Sequence, residues 1–264
     1  MDSARAVTRA VADFVAGHLP GVEHVCVGLS GGPDSLALTA AALRAGLTVR
    51  ALIVDHGLQD GSAEVAEGAA HAATELGATA QILPVSVGRD GGLEAAARTA
   101  RYDALREAGD GDPVLFGHTM DDQAETVLLG LGRGSGGRSI AGMRPWSPPW
   151  GRPLLGVRRA QTRAMCAELG LMPHHDPHNS DPRFTRVRLR SEVLPLLDDV
   201  LNGGVAEALS RTASALQADN DALDAAAEEV AALAASDSEL VVAVLADAPL
   251  AVRTRVIRSW LSAV

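Results

Sequence analysis

The chain has 264 residues, 47% of them hydrophobic, and a formal net charge of −10, which allows one large or two smaller domains with a real core and excludes a disordered chain. All 23 residues in its Lys+Arg total are arginine. That excludes a Walker A phosphate loop, a protein kinase and a pyridoxal enzyme, each of which needs a lysine.

The first predicted element is an amphipathic helix, because Val7, Val11, Phe14, Val15 and Leu19 repeat at helical spacing. It is not a signal peptide, no apolar run reaches membrane-spanning length, and a soluble, cytoplasmic protein without membrane partners is expected. "HVCVGL" (24–29) is a buried strand, followed by the small-residue loop "SGGPDS" (30–35) and a helix from about 35 to 45. "VRALIVD" (49–55) is a second strand and 62–77 a helix ending in glycine. "AQILPVSV" (80–87) is a third strand, placed at or near an edge by Pro84. A helix over 92–109, a strand "PVLFGH" (113–118) and a helix over 120–131 complete the alternation. This order predicts an α/β fold, a doubly wound parallel sheet with ligands at the carboxyl ends of its strands.

Beyond 131 the texture changes. "GRGSGGRSIAGM" (132–143) reads as a glycine-rich loop, and the tryptophan-bearing "RPWSPPWGRP" (144–153) follows it. A helix is expected from about 159 to 169, a polar loop over 173–185, and mostly helix from Arg186 onward, with two short helices around Pro249. The expected division is a catalytic domain over 1–200 and a small helical domain over 201–264, with the second one incomplete. Cys26 and Cys166 are the two cysteines. They lie far apart and form no Cys-x-x-Cys, which argues for a reducing compartment and against structural zinc or disulfides.

The loop carries the first chemistry. Ser30, Gly31 and Gly32 directly follow a strand, so backbone amides can face an anion while the next helix adds its N-terminal dipole. Asp34 cannot meet phosphate directly, and a Mg²⁺ between them removes the repulsion. The plainer reading is a tight turn with an Asp/Ser cap. The string Ser-Gly-Gly-Pro-Asp-Ser resembles the pyrophosphate loop of the N-type ATP pyrophosphatases, the PP-loop superfamily, whose loop works without lysine. That resemblance implies an ATP site formed by Ser30, Gly31, Gly32, Pro33, Asp34 and Ser35, joined by Asp55 and His56 at the end of the second strand, with Asp34 as the metal ligand.

Further strings narrow the resemblance. "VDHGL" (54–58), "ARTARY" (97–102), "GHTMDDQAET" (117–126), "GRGSGGRSIAGM" (132–143) and "RPLL" (152–155) resemble, in order, the motifs of the tRNA-isoleucine lysidine synthetase family. Gln59 stands where that family usually has arginine, and His178 and Val187 depart from its later motif. Membership would imply adenylation of C2–O of the wobble cytidine in a CAU-anticodon tRNA-Ile by ATP, then displacement of AMP by the amine of L-lysine. A cationic amine calls for carboxylates, and Asp122 and Glu125 lie three apart on one helical face, with Asp121 beside them. An acidic first turn complementing the helix dipole would explain them equally. The resemblance makes His118, Asp122 and Glu125 lysine-binding, and Asp34, Glu125, Arg98 and His118 catalytic. Arg98 and Arg101 become candidates for phosphate or developing negative charge.

Between Arg133 and Arg190 eleven arginines face only Glu168, Asp176 and Asp181, a local net charge of +8 that leaves −18 for the remainder. Such a concentration reads as an RNA-facing surface, although charge blocks are often only solvated faces. Arg133, Arg138, Arg186, Arg188 and Arg190 are the expected tRNA contacts, with Trp146 and Trp150 as candidate stacking surfaces. A homodimer is compatible with the chain. Two other readings are a tRNA thiolase of related fold, which would need reactive cysteines, and a non-catalytic nucleotide-binding module.

Overall fold

The computed structural model describes residues 2–57, 61–86, 93–134, 136–174, 176, 181–236 and 239–263. His178 and Gln59 lie outside them. Helix α1 (Ser3–His18) opens the chain, its start held by Asp2 and by Glu168, whose carboxylate accepts from the Ser3 and Ala4 amides. Strand β1 (His24–Gly28), helix α2 (Pro33–Arg44), strand β2 (Thr48–Asp55), helix α3 (Ser62–Leu76) and strand β3 (Thr79–Pro84) follow. Helix α4 (Leu93–Gly109), strand β4 (Val114–Leu115) and helix α5 (Met120–Gly132) complete the alternation.

The sheet order is β3-β2-β1-β4, extended by β6 (Trp150–Gly151) and β5 (Trp146–Ser147). All pairs are parallel except β5 with β6. The chain winds outward from β1 to the edge strand β3, then returns to place β4 on the other side of β1. The crevice where a parallel sheet binds ligands therefore lies at the carboxyl ends of β1 and β4.

Side chains alternate across the strands. Val25 and Val27 of β1, with Val49, Ala51 and Ile53 of β2, enter one buried cluster with α1 and α2. Met165 and Cys166 of helix α7 (Arg159–Glu168) join the same cluster. Cys26 and Leu52 face the opposite side, where Leu105, Val114, Phe116 and Trp150 pack. The candidate stacking surface thus dissolves. Trp150 is buried against Tyr102 and Phe116, and Trp146 is half-buried beside Phe14.

Three expectations were displaced. Helix α2 begins at Pro33 rather than 35, because proline suits the first helical turn, where its missing N–H costs nothing. The strand expected over 113–118 pairs only at Val114 and Leu115. The glycine-rich loop contains a short helix α6 (Gly137–Ile140).

Helix α8 (Thr185–Arg188) runs through a π-helical turn (Leu189–Val193) into helix α9 (Leu194–Val200), and helix α10 (Val205–Ala234) follows. Strands β7 (Ala235–Ser236) and β8 (Glu239–Leu240) form a small hairpin before helices α11 (Val242–Asp247) and α12 (Leu250–Ala263). The chain divides into two compact units, one of residues 1–125 with 143–210, the other of 126–142 with 211–264. The second has its own core of Ala227, Ala234, Leu245, Val252 and Val256. Among the described residues no helix is long and apolar enough to cross a membrane.

Candidate active site

The loop between β1 and α2 is four residues long, Leu29 to Gly32. Gly31 adopts φ +78°, a conformation that side chains rarely take, and its carbonyl accepts from the His174 amide at 2.9 Å. Ser35 Oγ donates to the Gly32 carbonyl and accepts from the Ser30 amide. A Cβ at Gly117, just past β4, would lie 2.8 Å from the Asp34 backbone. Only a glycine there lets the end of β4 press against the start of α2, so the two motifs share one crevice.

A cavity of about 390 Å³ opens at the ends of β1 and β2, and Ser30, Gly32, Asp55, His56, Arg101 and His174 lie in its wall. Asp55 turns back to accept from the Gly57 amide, which with Ser62 holds its carboxyl below its ordinary value. His56 Nδ1 is buried with no hydrogen-bond partner. Burial lowers the proton affinity of this imidazole, and nearby Arg101 lowers it further. Pro33, Asp34 and Ser35 stand behind the loop in the first turn of α2 rather than in that wall.

The expected acidic residues converge around a residue that sequence reasoning missed. Arg159 is 8% exposed. It reaches Asp122 at 2.5 Å, Glu125 at 3.4 Å and Asp34 at 3.5 Å. Thr162, one turn further along α7, donates a short hydrogen bond to Asp34. Burial raises the Asp34 carboxyl despite that bond and Arg159. Burial also acts on Asp122, but Arg159 and the Thr119 amide and hydroxyl outweigh it and hold its carboxyl low. Glu125 is fully buried. Besides Arg159 it receives Arg190 at 2.8 Å and Arg186 at 3.5 Å. Asp121 accepts from the Arg159 backbone amide at 2.8 Å and pairs with Arg158, which also holds Glu207 at 2.7 Å.

His118 precedes α5, with its ring 5.7 Å from that of Phe116. Burial drives its pKa down to about 4, with Arg152, Arg101 and Arg98 adding to the effect and Asp122 opposing it. Its Nδ1 is buried without a partner. Arg98 is exposed and donates to the Tyr102 hydroxyl at 3.3 Å, so of the two candidate arginines on α4 it is Arg101 that reaches the cavity.

The arginines expected to face tRNA are engaged within the chain. Arg186 and Arg190 meet Glu125, and Arg188 meets Glu192 at 2.9 Å. In the second unit Arg138 meets Asp224 at 2.5 Å and Arg133 Nε donates to the Leu129 carbonyl. The local surplus of positive charge is thus smaller in space than along the sequence. Both thiols are buried. Burial raises the Cys26 thiol and pushes that of Cys166 up to about 11, so neither is a ready nucleophile.

A family model described as the PP-loop domain matches residues 3–197. A tRNA(Ile)-lysidine synthase of Nocardia farcinica is 63% identical over 96% of this chain and 80% of its own length. The enzyme of the same name from Mycolicibacterium paratuberculosis is 63% identical over 96% and 79%. The solved U34-tRNA thiolase NcsA of Methanococcus maripaludis aligns with TM-score 0.66 over 80% of this chain and 78% of its own. At 18% identity it speaks for the shared fold alone. With the lysine-free loop, the sheet that carries it and relatives at this identity, the chain belongs to the PP-loop family and, within it, to the tRNA(Ile)-lysidine synthases.

Proposed function

We propose that the chain uses ATP to join L-lysine to C2 of the wobble cytidine in the CAU-anticodon tRNA-Ile, giving lysidine, AMP and pyrophosphate. One observation carries this reading. A nucleotide-sized cavity lies at a lysine-free phosphate loop, and in the helix that follows the loop Asp34 meets a single guanidinium, that of Arg159, which also touches Asp122 and the fully buried Glu125.

The chemistry follows in two steps. The cytidine O2 attacks the α-phosphorus of ATP and pyrophosphate leaves, its charge met by the amides of Ser30 to Gly32 and by Arg101. The lysine side-chain ammonium first gives one proton to solvent; its neutral amine then attacks C2, the C2–O bond breaks with AMP as leaving group, and the second proton passes to solvent. Asp122 and Glu125 orient the amine, exchanging arginine contacts for it. Neutral His118 hydrogen-bonds at the reacting centre through its unpartnered nitrogen, and Arg98 faces the charge that develops. Asp34 suits a Mg²⁺ that takes most of its ligands from the nucleotide, because it presents one carboxylate behind the loop. Among the described residues no group of three or more metal-binding side chains stands ready. When bound, the ion would neutralise the phosphates. The five arginines 133, 138, 186, 188 and 190 are the proposed tRNA contacts, the division at 200 separates catalytic from helical functions, and the cytoplasm is the proposed compartment.

The test supplies ATP, radiolabelled lysine and tRNA-Ile transcripts with CAU or altered anticodons. Label should enter the CAU transcript alone, with AMP formed in equal amount. AMP formation without lysine in the RNA would overturn the assignment in favour of another use of the adenylated base.

A further inference from the structure

Four charged side chains act on His118: Asp122, which is paired with Arg159, and Arg152, Arg101 and Arg98, which among the described residues have no carboxylate partner. Arg101 and Arg152 place their guanidinium carbons 5.7 and 5.9 Å from the centre of the Phe116 ring. The His118 ring is 5.7 Å from the same ring. Arg98 lies over Tyr102 at 5.0 Å, and Tyr102 packs on Phe116 at 5.4 Å. Arg152 follows β6, and its Nη1 donates to the Arg144 carbonyl at 3.1 Å. Its Nε is buried and has no hydrogen-bond partner. A buried charged donor left unmade is costly and asks for an acceptor. Three guanidiniums without a counter-charge ask for an anion.

We infer that Arg152, flanked by Arg101 and Arg98, receives the α-carboxylate of the amino-acid substrate, while Asp122 and Glu125 face the amine at its other end. This rests on the proposed function. Lysine carries an ammonium and a carboxylate separated by four methylenes, and His118 stands within reach of both kinds of partner, the acid Asp122 and the three arginines. The other anions have places already. The phosphates of ATP meet the loop amides and Arg101, and RNA phosphates meet the arginines of the later segments. Arg152 is therefore a specificity-determining residue that recognises the amino-acid end of lysine rather than its reacting amine.

The test compares L-lysine with 1,5-diaminopentane, which keeps the reacting amine and lacks the carboxylate, as substrate or competing inhibitor in the lysidine assay. In the wild type lysine should be preferred. Arg152→Gln, which can still reach the Arg144 carbonyl, should raise the KM for lysine about 30-fold, in line with loss of a charged hydrogen bond. The diamine, ATP and tRNA constants should stay within about twofold, so the preference collapses. Arg152→Lys keeps the charge and should retain part of it, which separates recognition from misfolding. Equal losses for lysine and diamine, or a shift confined to the ATP or tRNA constant, would overturn the inference and assign Arg152 to phosphate. A wild-type protein that transfers no lysine would overturn the proposed function and this inference with it. An active wild type whose Arg152→Gln variant keeps its preference would overturn the inference alone.

Discussion

His118 shows how much one side chain owes to its surroundings. It ionises at about 4 in the folded chain against 6.5 for an ordinary histidine. Between those values the unfolded chain binds a proton that the folded chain refuses. Stability is therefore full above about pH 6.5 and falls as pH drops toward 4, by roughly 3 kcal/mol in all. Urea denaturation at about pH 7.5 and pH 5 measures the loss, and His118→Gln should remove that share of it. An unchanged pH slope in the variant would assign the acid sensitivity to the carboxylates instead. At this scale the loop, His118 and the acidic pair were legible, because small residues after a strand and acids three apart are local patterns. Arg159 was not. Its partners stand at 34, 122 and 125, and an ion pair across such separations leaves no period in the sequence.

Between elements, the decisive contact is that of β4 with the start of α2. Gly117→Ala would force a Cβ to 2.8 Å from the Asp34 carbonyl, a backbone atom that yields only if the loop moves. The variant should lose about 1–3 kcal/mol of stability, as overpacking does. Its ATP KM should rise more than its lysine KM, because the loop moves and Glu125 does not. Thermal melts and initial rates check both, and a variant with wild-type ATP affinity would show that the close approach is not needed. Most elements were readable in order, since strand runs and helical spacing alternate cleanly up to 131. β5 and β6 were hidden. Each is two residues long among prolines and offers too little pattern to tell a strand from a loop.

Across the whole molecule, net charge opposes RNA, and binding has to work through local exchange. An arginine already paired within the chain must give up a carboxylate to take a phosphate. Affinity for tRNA should still fall with salt, by roughly 0.7 to 0.9 log units per log unit for each phosphate neutralised. Replacing Arg133 and Arg138 together with glutamine should flatten that dependence by roughly 1.5. Arg138 is ion-paired with Asp224, but Arg255 also holds that carboxylate at 2.8 Å. The fold should therefore survive, as losing one exposed pair costs little. Filter binding across salt concentrations reads the slope, and an unchanged one would move the RNA contact to Arg186, Arg188 and Arg190.

The arrangement around Arg159 also sets an order in time. A chain emerging from the ribosome releases Asp34, Asp122 and Glu125 first, and by Gly151 every strand of the large sheet is present. Their cationic partners arrive only at 159, 186 and 190. Until then the nascent crevice holds three carboxylates that cannot be buried as anions without a counter-charge. The sheet can close early, but its chemistry cannot: the crevice stays hydrated or protonated until the later half of the chain supplies its arginines.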